Sequence, residues 1–162
     1  MLEQEIASAI KFILESAGGP TPYYHNVPQG FLVPAVYFPP PEIISAGDTL
    51  LTYSLQYAWY VKFFHRTTQK AQALAFAALT ALQSRKNVVP LIDETGKATG
   101  RGFRMMDPVL KPLDNAAQLT LMWKSPRPYN VNPSQKMMTY DLNMTAKEAF
   151  DSAVSQITET EG

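Results

Sequence analysis

The sequence predicts an α+β fold, with a mostly antiparallel sheet, two helices packed on one face of it, and a C-terminal arm and helix. A long segment, residues 52–63, alternates apolar and polar side chains as a half-buried strand does. Two other segments, 6–17 and 71–82, repeat apolar residues at steps of three and four, which is the period of a helix. Helices gathered on one face of such a sheet form an α+β sandwich.

The first helix is predicted from an apolar stripe at helical spacing that ends before two glycines and a proline. The stripe consists of Ile6, Ala9, Ile10, Ile13 and Ala17. Residues 20–30 have the composition of a loop. Residues 31–38, FLVPAVYF, then predict a short strand. Because Pro34 has no backbone N–H, we expect this strand at an edge of the sheet or interrupted by a bulge.

The alternating segment predicts one strand of unusual length with two different faces. The apolar face carries Tyr53, Leu55, Tyr57, Trp59, Val61 and Phe63. The opposite face carries Thr52, Ser54, Gln56, Ala58, Tyr60 and Lys62. Twelve residues at ~3.3 Å each reach about 40 Å. We therefore expect this strand to extend beyond the body of the domain or to pair with another molecule.

The second helix follows the long strand directly, with Thr67 or Thr68 as its N-cap. Its stripe contains many small residues, which allow close packing on a sheet: Ala71, Leu74, Ala75, Ala78, Leu79 and Leu82. Asn87 is predicted as a left-handed cap. Later strands are predicted at 88–92, near 102–106 and at 118–124, and the polar, glycine-rich stretch 93–102 predicts an exposed, mobile hairpin tip.

The composition changes after residue 124, so we predict two parts: an α+β domain at 1–124 and an arm with an amphipathic helix at 125–162. Residues 125–143 hold three prolines and no regular period. Thr145 and Glu148 then form a T-x-x-E capping box. Apolar residues at helical spacing follow, and they include Phe150, Val154 and Ile157. Such a helix cannot bury its stripe alone, so it must dock on its own body or on a neighbour.

Charge and composition favour a protein that binds other proteins. Charged residues make up 17% of the chain, against ~25% in typical soluble domains. The formal net charge is zero, which does not favour specific binding to nucleic acid through phosphates. The absence of cysteine excludes disulfides, thiolate zinc sites and cysteine nucleophiles. The N-terminus lacks the pattern of a signal peptide and no apolar run approaches ~20 residues, so we expect no membrane contact and a cytoplasmic location.

The sequence contains no catalytic, metal-binding or cofactor-binding motif. His25 lies in a polar loop and His65 ends the long strand, and neither has a metal-ligand partner at close spacing. We interpret His65 as a residue that sits at the rim of the sheet or bonds a backbone group at the turn. One alternative is a small enzyme or ligand-binding domain that uses His65, Arg66 and the 93–104 loop as a lid. Lys97, Arg101 and Arg104 in that loop can contact phosphates or the acids of a partner.

The order of elements over residues 1–124 resembles the tail terminator proteins of tailed bacteriophages and related phage-tail-like particles. The segments that carry the resemblance are the N-terminal helix, FLVPAVYFPPP, TYSLQYAWYVKFFH, TQKAQALAFAALTALQ and QLTLMWK. The resemblance implies a protein without catalytic residues or cofactors that forms a ring, typically a hexamer. Such a ring caps the tail tube, stops its polymerisation and offers a docking surface to the head.

The resemblance also implies partners and a location. The partners would be further copies of the chain, the tail tube protein, and sheath and neck or connector proteins. Assembly would take place in the bacterial host cytoplasm, before the ring becomes part of the virion or particle. The alternative within the same class is a head–tail connector or neck-completion protein. We predict the subunit or tube interface at Thr52, Ser54, Gln56, Tyr60, Lys62, Lys97, Arg101, Arg104, Phe150, Val154 and Ile157.

Overall fold

A computed structural model describes residues 2–130 of the chain. Its compact body is the unit Met1–Pro128. The two helices are α1 (Leu2–Ser16) and α2 (Thr68–Ser84). The strands before α2 are β1 (Thr21–Tyr23), β2 (Ala35–Tyr37), β3 (Glu42–Gly47) and β4 (Thr52–Phe64). The strands after α2 are β5 (Val88–Ile92), β6 (Ala98–Arg104), β7 (Val109–Leu113) and β8 (Ala116–Pro128).

Six of these strands form one mixed, mostly antiparallel sheet with the order β1-β2-β4-β8-β7, and β3 pairs with β4 outside that path. Only β1 and β2 run parallel. The centre of the sheet is the long antiparallel pair β4–β8, which runs from Thr52 opposite Pro128 to Phe64 opposite Ala116. Along its other edge, β4 pairs first with β3 and then with β2. Strands β5 and β6 form a separate two-stranded sheet.

The core lies between the sheet and the two helices, as the alternation predicts. Tyr57, Trp59, Val61 and Phe63 of β4 are all buried. From β8, Trp123 stacks on Tyr57 with ring centroids 4.6 Å apart. The buried residues of α2 are Ala71, Ala75, Ala78 and Leu82. The small side chains of α2 let the helix backbone approach the aromatic layer closely. Both helices pack against the same side of the sheet, which confirms the α+β architecture predicted from the sequence.

Two polar side chains hold α1 against both sheets. The carboxylate of Glu5 accepts hydrogen bonds from Trp123 Nε1 at 2.9 Å and from the Ser125 hydroxyl at 2.8 Å. The Ser8 hydroxyl accepts a hydrogen bond from the Ile92 backbone N–H at 3.0 Å. These bonds satisfy polar groups that would otherwise be buried without partners, and they fix the position of α1 along the sheet.

The predicted helix ends are confirmed. Gly18 and Gly19 follow α1 with φ angles of 81° and 75°, a region that glycine enters without steric cost. The Thr67 side chain caps α2 by accepting a hydrogen bond from Lys70 N at 3.3 Å. Asn87 has a φ of 61°, as expected of a left-handed residue after a helix.

The structure differs from the prediction in its short strands. β1, β3 and β7 were not predicted. β1 lies in the segment interpreted as a loop, the β3 segment was assigned no element, and β7 lies in a stretch interrupted by prolines. The prediction of an edge position for the strand at 31–38 is wrong, since β2 pairs with β1 on one side and β4 on the other. Pro34 is tolerated because the strand begins after it, at Ala35.

Candidate assembly interface

The long strand β4 forms a hairpin with β3, and most side chains of this hairpin are not covered by the helices. The paired residues run from Glu42 opposite Ala58 to Gly47 opposite Tyr53. Five of the six residues of β3 are exposed, and they lie on both faces of the strand; the sixth is half-buried. The long strand was expected to extend beyond the body of the domain or to pair with another molecule; within the described residues its two edges pair with β2, β3 and β8 of its own chain.

The hairpin presents large apolar side chains to solvent. Ile43 is 45% exposed, Ile44 61%, Leu51 68% and Leu50 98%. Single exposed apolar residues are ordinary, but four large ones on a single hairpin are a concentration that is typical of interaction sites. We call these four residues the apolar hairpin. Covering each side chain would contribute on the order of 1.5–3 kcal/mol.

The turn of the hairpin is held in one conformation by local hydrogen bonds. The Thr49 hydroxyl accepts from the backbone N–H of Leu51 at 3.2 Å and of Thr52 at 3.0 Å. Lys124 of β8 bonds the Asp48 carboxylate at 2.6 Å. The two leucines are therefore held at the surface by an ordered turn, which lowers the entropy that a partner would have to remove on binding.

β3 is also an edge strand without the usual protection against pairing. Within the described residues no strand pairs with its outer edge. Natural edge strands are commonly blunted by proline or lysine; β1 contains Pro22, and β7 contains Lys111 and Pro112. The six residues of β3 include neither type. This edge is therefore open to main-chain pairing with another molecule.

The predicted face of β4 is only partly available. Gln56 is exposed and Tyr60 is 36% exposed, while Thr52 and Lys62 are half-buried. Ser54 differs from the expectation of a surface position, because it is fully buried and its hydroxyl donates to the Ala46 carbonyl at 3.5 Å. Its neighbours across the sheet are Ala46 of β3 and Pro126 of β8. Ser54 thus supports the hairpin from inside the folded chain.

The basic residues of the second hairpin lie at the surface, as predicted. Lys97, Arg101 and Arg104 are all exposed. The turn before them is organised by Asp93, whose carboxylate accepts from the Thr95 hydroxyl at 2.6 Å and the Lys97 N–H at 3.0 Å. These bonds, that of the Thr95 hydroxyl first, lower the pKa of Asp93. Arg101 and Arg104 form no ion pair within residues 2–130.

His65 has the backbone role inferred for it. Its Nδ1 atom accepts a hydrogen bond from the Arg66 N–H at 2.8 Å, so the imidazole shapes the corner between β4 and α2.

Across residues 2–130, no three His, Asp or Glu side chains converge as a metal site would need. No helix in this part of the chain is long and apolar enough to cross a membrane. Phe150, Val154 and Ile157 lie outside the described residues.

The sequence interpretation missed the apolar hairpin itself. The signals were present: two isoleucines, then Gly47 and Asp48 as turn residues, directly before the long strand. Three consecutive prolines at 39–41 were interpreted as the end of the strand before them, and residues 42–51 were assigned no element. Those prolines instead connect β2 to β3, which lie one after the other along the same edge of β4.

The chain is similar to two proteins of Bacillus subtilis (strain 168), although no protein-family model matches it. It is 37% identical over 103 residues to the uncharacterized protein YqbJ, and the aligned region covers 64% of this chain and 71% of YqbJ. It is 27% identical over 147 residues to the phage-like element PBSX protein XkdJ, which covers 90% of this chain and all of XkdJ.

Among solved structures, the chain resembles one from the virion of a native gene transfer agent particle, with a TM-score of 0.46 and 14% identity. That match covers 76% of this chain and 93% of the other, and a likeness at this level carries no argument about function. The identity to YqbJ, over more than two thirds of that protein, is decisive for the family. The phage-related assignment made from the sequence is confirmed: the chain belongs to the same family as YqbJ, among phage-related proteins that include XkdJ of the element PBSX.

Proposed function

We propose that this chain is a structural protein of a phage or phage-tail-like particle, without catalytic activity, that forms a ring on the end of the tail tube. The ring ends tube polymerisation and provides the docking surface on the side of the head. The similarity to a protein of a phage-like element supports the particle context. The observation that carries the proposal is the apolar hairpin, with Leu50 98% exposed on an ordered turn.

A closed ring suits this surface physically. Ring closure uses heterologous contacts, in which each subunit offers two different complementary patches. The apolar hairpin, with the open edge of β3, supplies one patch. Gln56 and Tyr60 lie on the adjoining strand and extend it with polar contacts. In this proposal the ring is a hexamer, its partners are the tube protein and the sheath and neck proteins, and it assembles in the host cytoplasm.

The test compares the unmodified chain with Leu50→Ser/Leu51→Ser by light scattering and negative-stain imaging, alone and with tail tubes. We expect rings, or rings on tube ends, for the unmodified chain, and loss of rings for the double variant. Phe76→Ser is the matched control, because Phe76 is 59% exposed on α2, outside the hairpin. A chain that stays monomeric and leaves tube length unchanged, or a control as damaging as the double variant, would contradict the proposal.

A second candidate is a head–tail connector or neck-completion protein, whose ring would line a DNA channel. Arg101 and Arg104 are exposed and form no ion pair with the rest of residues 2–130, which favours this candidate because guanidinium groups bind phosphates. Here we expect salt-dependent binding of duplex DNA to the assembled ring, lost in Arg101→Glu/Arg104→Glu. Rings that bind no DNA at low salt would leave the terminator as the proposed function.

A further inference from the structure

A groove whose lining includes no residue of the apolar hairpin has the character of a docking site. It lies between the second half of α1, the C-terminal end of α2 and the β5–β6 sheet, and its volume is about 390 Å³. Its apolar lining is Phe12, Ala81, Pro90, Ile92 and Ala98. A second depression, lined by Arg85, Pro90 and Ala98 together with Arg101, continues the groove along β6.

The rim of this groove is mainly basic. Lys11 and Arg85 line the first part and Arg101 the second, against one acid, Glu15. Lys11 is held across the groove by a bond from its Nζ to the Gly96 carbonyl, at 2.6 Å, and lies 3.8 Å from Glu15 Oε1. The Arg85 guanidinium stands 5.9 Å from the centre of the Phe12 ring. An apolar floor with cationic edges fits an amphipathic, acidic segment.

The zero net charge of the chain conceals an uneven distribution that supplies such a segment. Residues 1–130 hold twelve Lys and Arg against nine Asp and Glu, whereas residues 131–162 hold two against five. After the predicted capping box at Thr145, the sequence alternates acids with apolar residues at helical spacing. The acids are Glu148, Asp151, Glu159 and Glu161. The apolar residues are Ala149, Phe150, Ala153, Val154 and Ile157.

We propose that the groove binds residues 145–161 of a second copy of this chain, so that each subunit is joined to the next. Phe150 and Val154 would lie against the floor formed by Phe12, Ala81 and Ala98, and the acids would face the basic rim. This inference rests on the proposed ring for the identity of the occupant. It supplies the ring with a second contact, distinct from the apolar hairpin.

The course of the chain favours a neighbour as the occupant. β8 ends at Pro128, which pairs with Thr52 at the base of the hairpin turn. The chain therefore leaves the body beside the surface proposed to meet another subunit. The sixteen residues between Pro128 and Thr145 can span up to about 50 Å when extended. That reach exceeds the length of the thirteen-residue strand β4, which is about 43 Å, so the segment can extend past its own body.

Disulfide trapping tests the contact in a chain that has no cysteine of its own. Full-length Ala98→Cys and Val154→Cys proteins, carrying tags of different size, are co-expressed, purified as assemblies and oxidised. We expect a covalent dimer that contains one of each. Ser155→Cys replaces Val154→Cys in the control, because helical spacing places residue 155 opposite the apolar stripe, and its dimer yield should fall severalfold.

Two outcomes overturn the inference: no mixed dimer in assembled rings, or a double variant in one chain that forms only an intrachain disulfide. Rim reversal by Arg85→Glu/Arg101→Glu should lower the dimer yield severalfold, and Glu148→Lys/Asp151→Lys in the partner chain should restore it. Rings without cross-links would refute this contact and leave the proposed function standing. Failure of the unmodified chain to form rings would refute the proposed function itself.

Discussion

The carboxylate of Glu5 is the main polar link between α1 and the large sheet. It accepts from Trp123 Nε1 and from the Ser125 hydroxyl, two groups on residues that are buried. Removing the acceptor leaves both donors without their partner, and an unsatisfied buried donor costs about 1–3 kcal/mol. The loss should lower the stability of the whole domain, because α1 covers the core.

We therefore expect Glu5→Ala to lower the free energy of unfolding by about 2–4 kcal/mol, measured by urea denaturation. Glu15→Ala is the matched control on the same helix. Glu15 is exposed and its ion pair with Lys11 spans 3.8 Å, so its removal should change stability by less than about 1 kcal/mol. Equal effects of the two substitutions would show that the Glu5 bonds do not stabilise the fold.

The Tyr57 hydroxyl is a buried polar group without a hydrogen-bond partner in the described part of the chain. Burial raises the pKa of this hydroxyl, and nearby Arg127 offsets part of the shift through its charge and a polar contact, although that contact lacks the geometry of a hydrogen bond. With a raised folded-state pKa, the folded chain holds the proton after the unfolded chain has lost it. Stability is then full below the ordinary pKa near 10 and falls as the pH rises through the folded-state value.

Tyr57→Phe should accordingly leave stability at pH 7 unchanged or raise it by about 1 kcal/mol, since it removes an unsatisfied group and keeps the ring stacked on Trp123. It should also reduce the loss of stability above pH 10. Tyr60→Phe is the control, because Tyr60 is 36% exposed. Thermal melts between pH 7 and 11 measure both effects; a destabilised Tyr57→Phe would mean that the hydroxyl has a stabilising partner.

The β5–β6 hairpin depends on a close approach at Gly102. A Cβ atom at this position would lie 2.9 Å from the Val89 carbonyl oxygen and 2.9 Å from Val88 Cγ1. The carbonyl belongs to the backbone and can move only with the strand. Replacing glycine in a strand normally gains about 0.5–1 kcal/mol, but overpacking of this kind costs about 1–3 kcal/mol.

We expect the clash to outweigh the gain in backbone rigidity. Gly102→Ala should therefore lower the free energy of unfolding by about 1–2 kcal/mol, measured by chemical denaturation. Glu94→Ala, at an exposed position in the turn of the same hairpin, should stay within about 0.5 kcal/mol of the unmodified chain. A stabilised Gly102→Ala would show that β5 shifts freely and that the hairpin is not tightly packed.

The elements that could be predicted are those whose pattern is repeated many times. β4 and the two helices show their buried face at every second, third or fourth residue, so the core was readable from the sequence. β3 and β7 lack a repeated pattern of apolar residues, because β3 is exposed on both faces and β7 is short and contains Pro112. Ser54 shows the same limit, since its burial depends on Ala46 and Pro126 across the sheet. Pairing between distant segments carries no local periodicity.

The described body carries two surfaces that differ in character. The apolar hairpin involves the first half of β4, and the basic groove is lined by the C-terminal parts of α1 and α2. The low share of charged residues and the zero net charge could be read from the sequence. The charges are divided unevenly between a basic body and an acidic C-terminal stretch. A binding role for this division follows only from the fold, which brings Lys11, Arg85 and Arg101 to one groove.

The extent of β8 decides where the C-terminal stretch can be removed. The sequence placed the domain boundary after residue 124, which stays a prediction, but β8 continues to Pro128 and pairs Pro126, Arg127 and Pro128 with the first residues of β4. Deleting residues 131–162 leaves this pairing intact. Deleting residues 126–162 removes three strand pairs, including the neighbour of buried Ser54.

We therefore expect the 131–162 deletion to keep the melting temperature of the full chain at concentrations where both are monomeric, and to assemble more weakly at higher concentration. The 126–162 deletion should melt several degrees lower, since a loss of about 1 kcal/mol lowers the melting temperature of a domain of this size by about 3–5 °C. Thermal melts and light scattering on both truncations separate the two effects. If the 131–162 deletion also melts far below the full chain, the C-terminal stretch stabilises its own body, and the proposed docking on a neighbouring subunit is wrong.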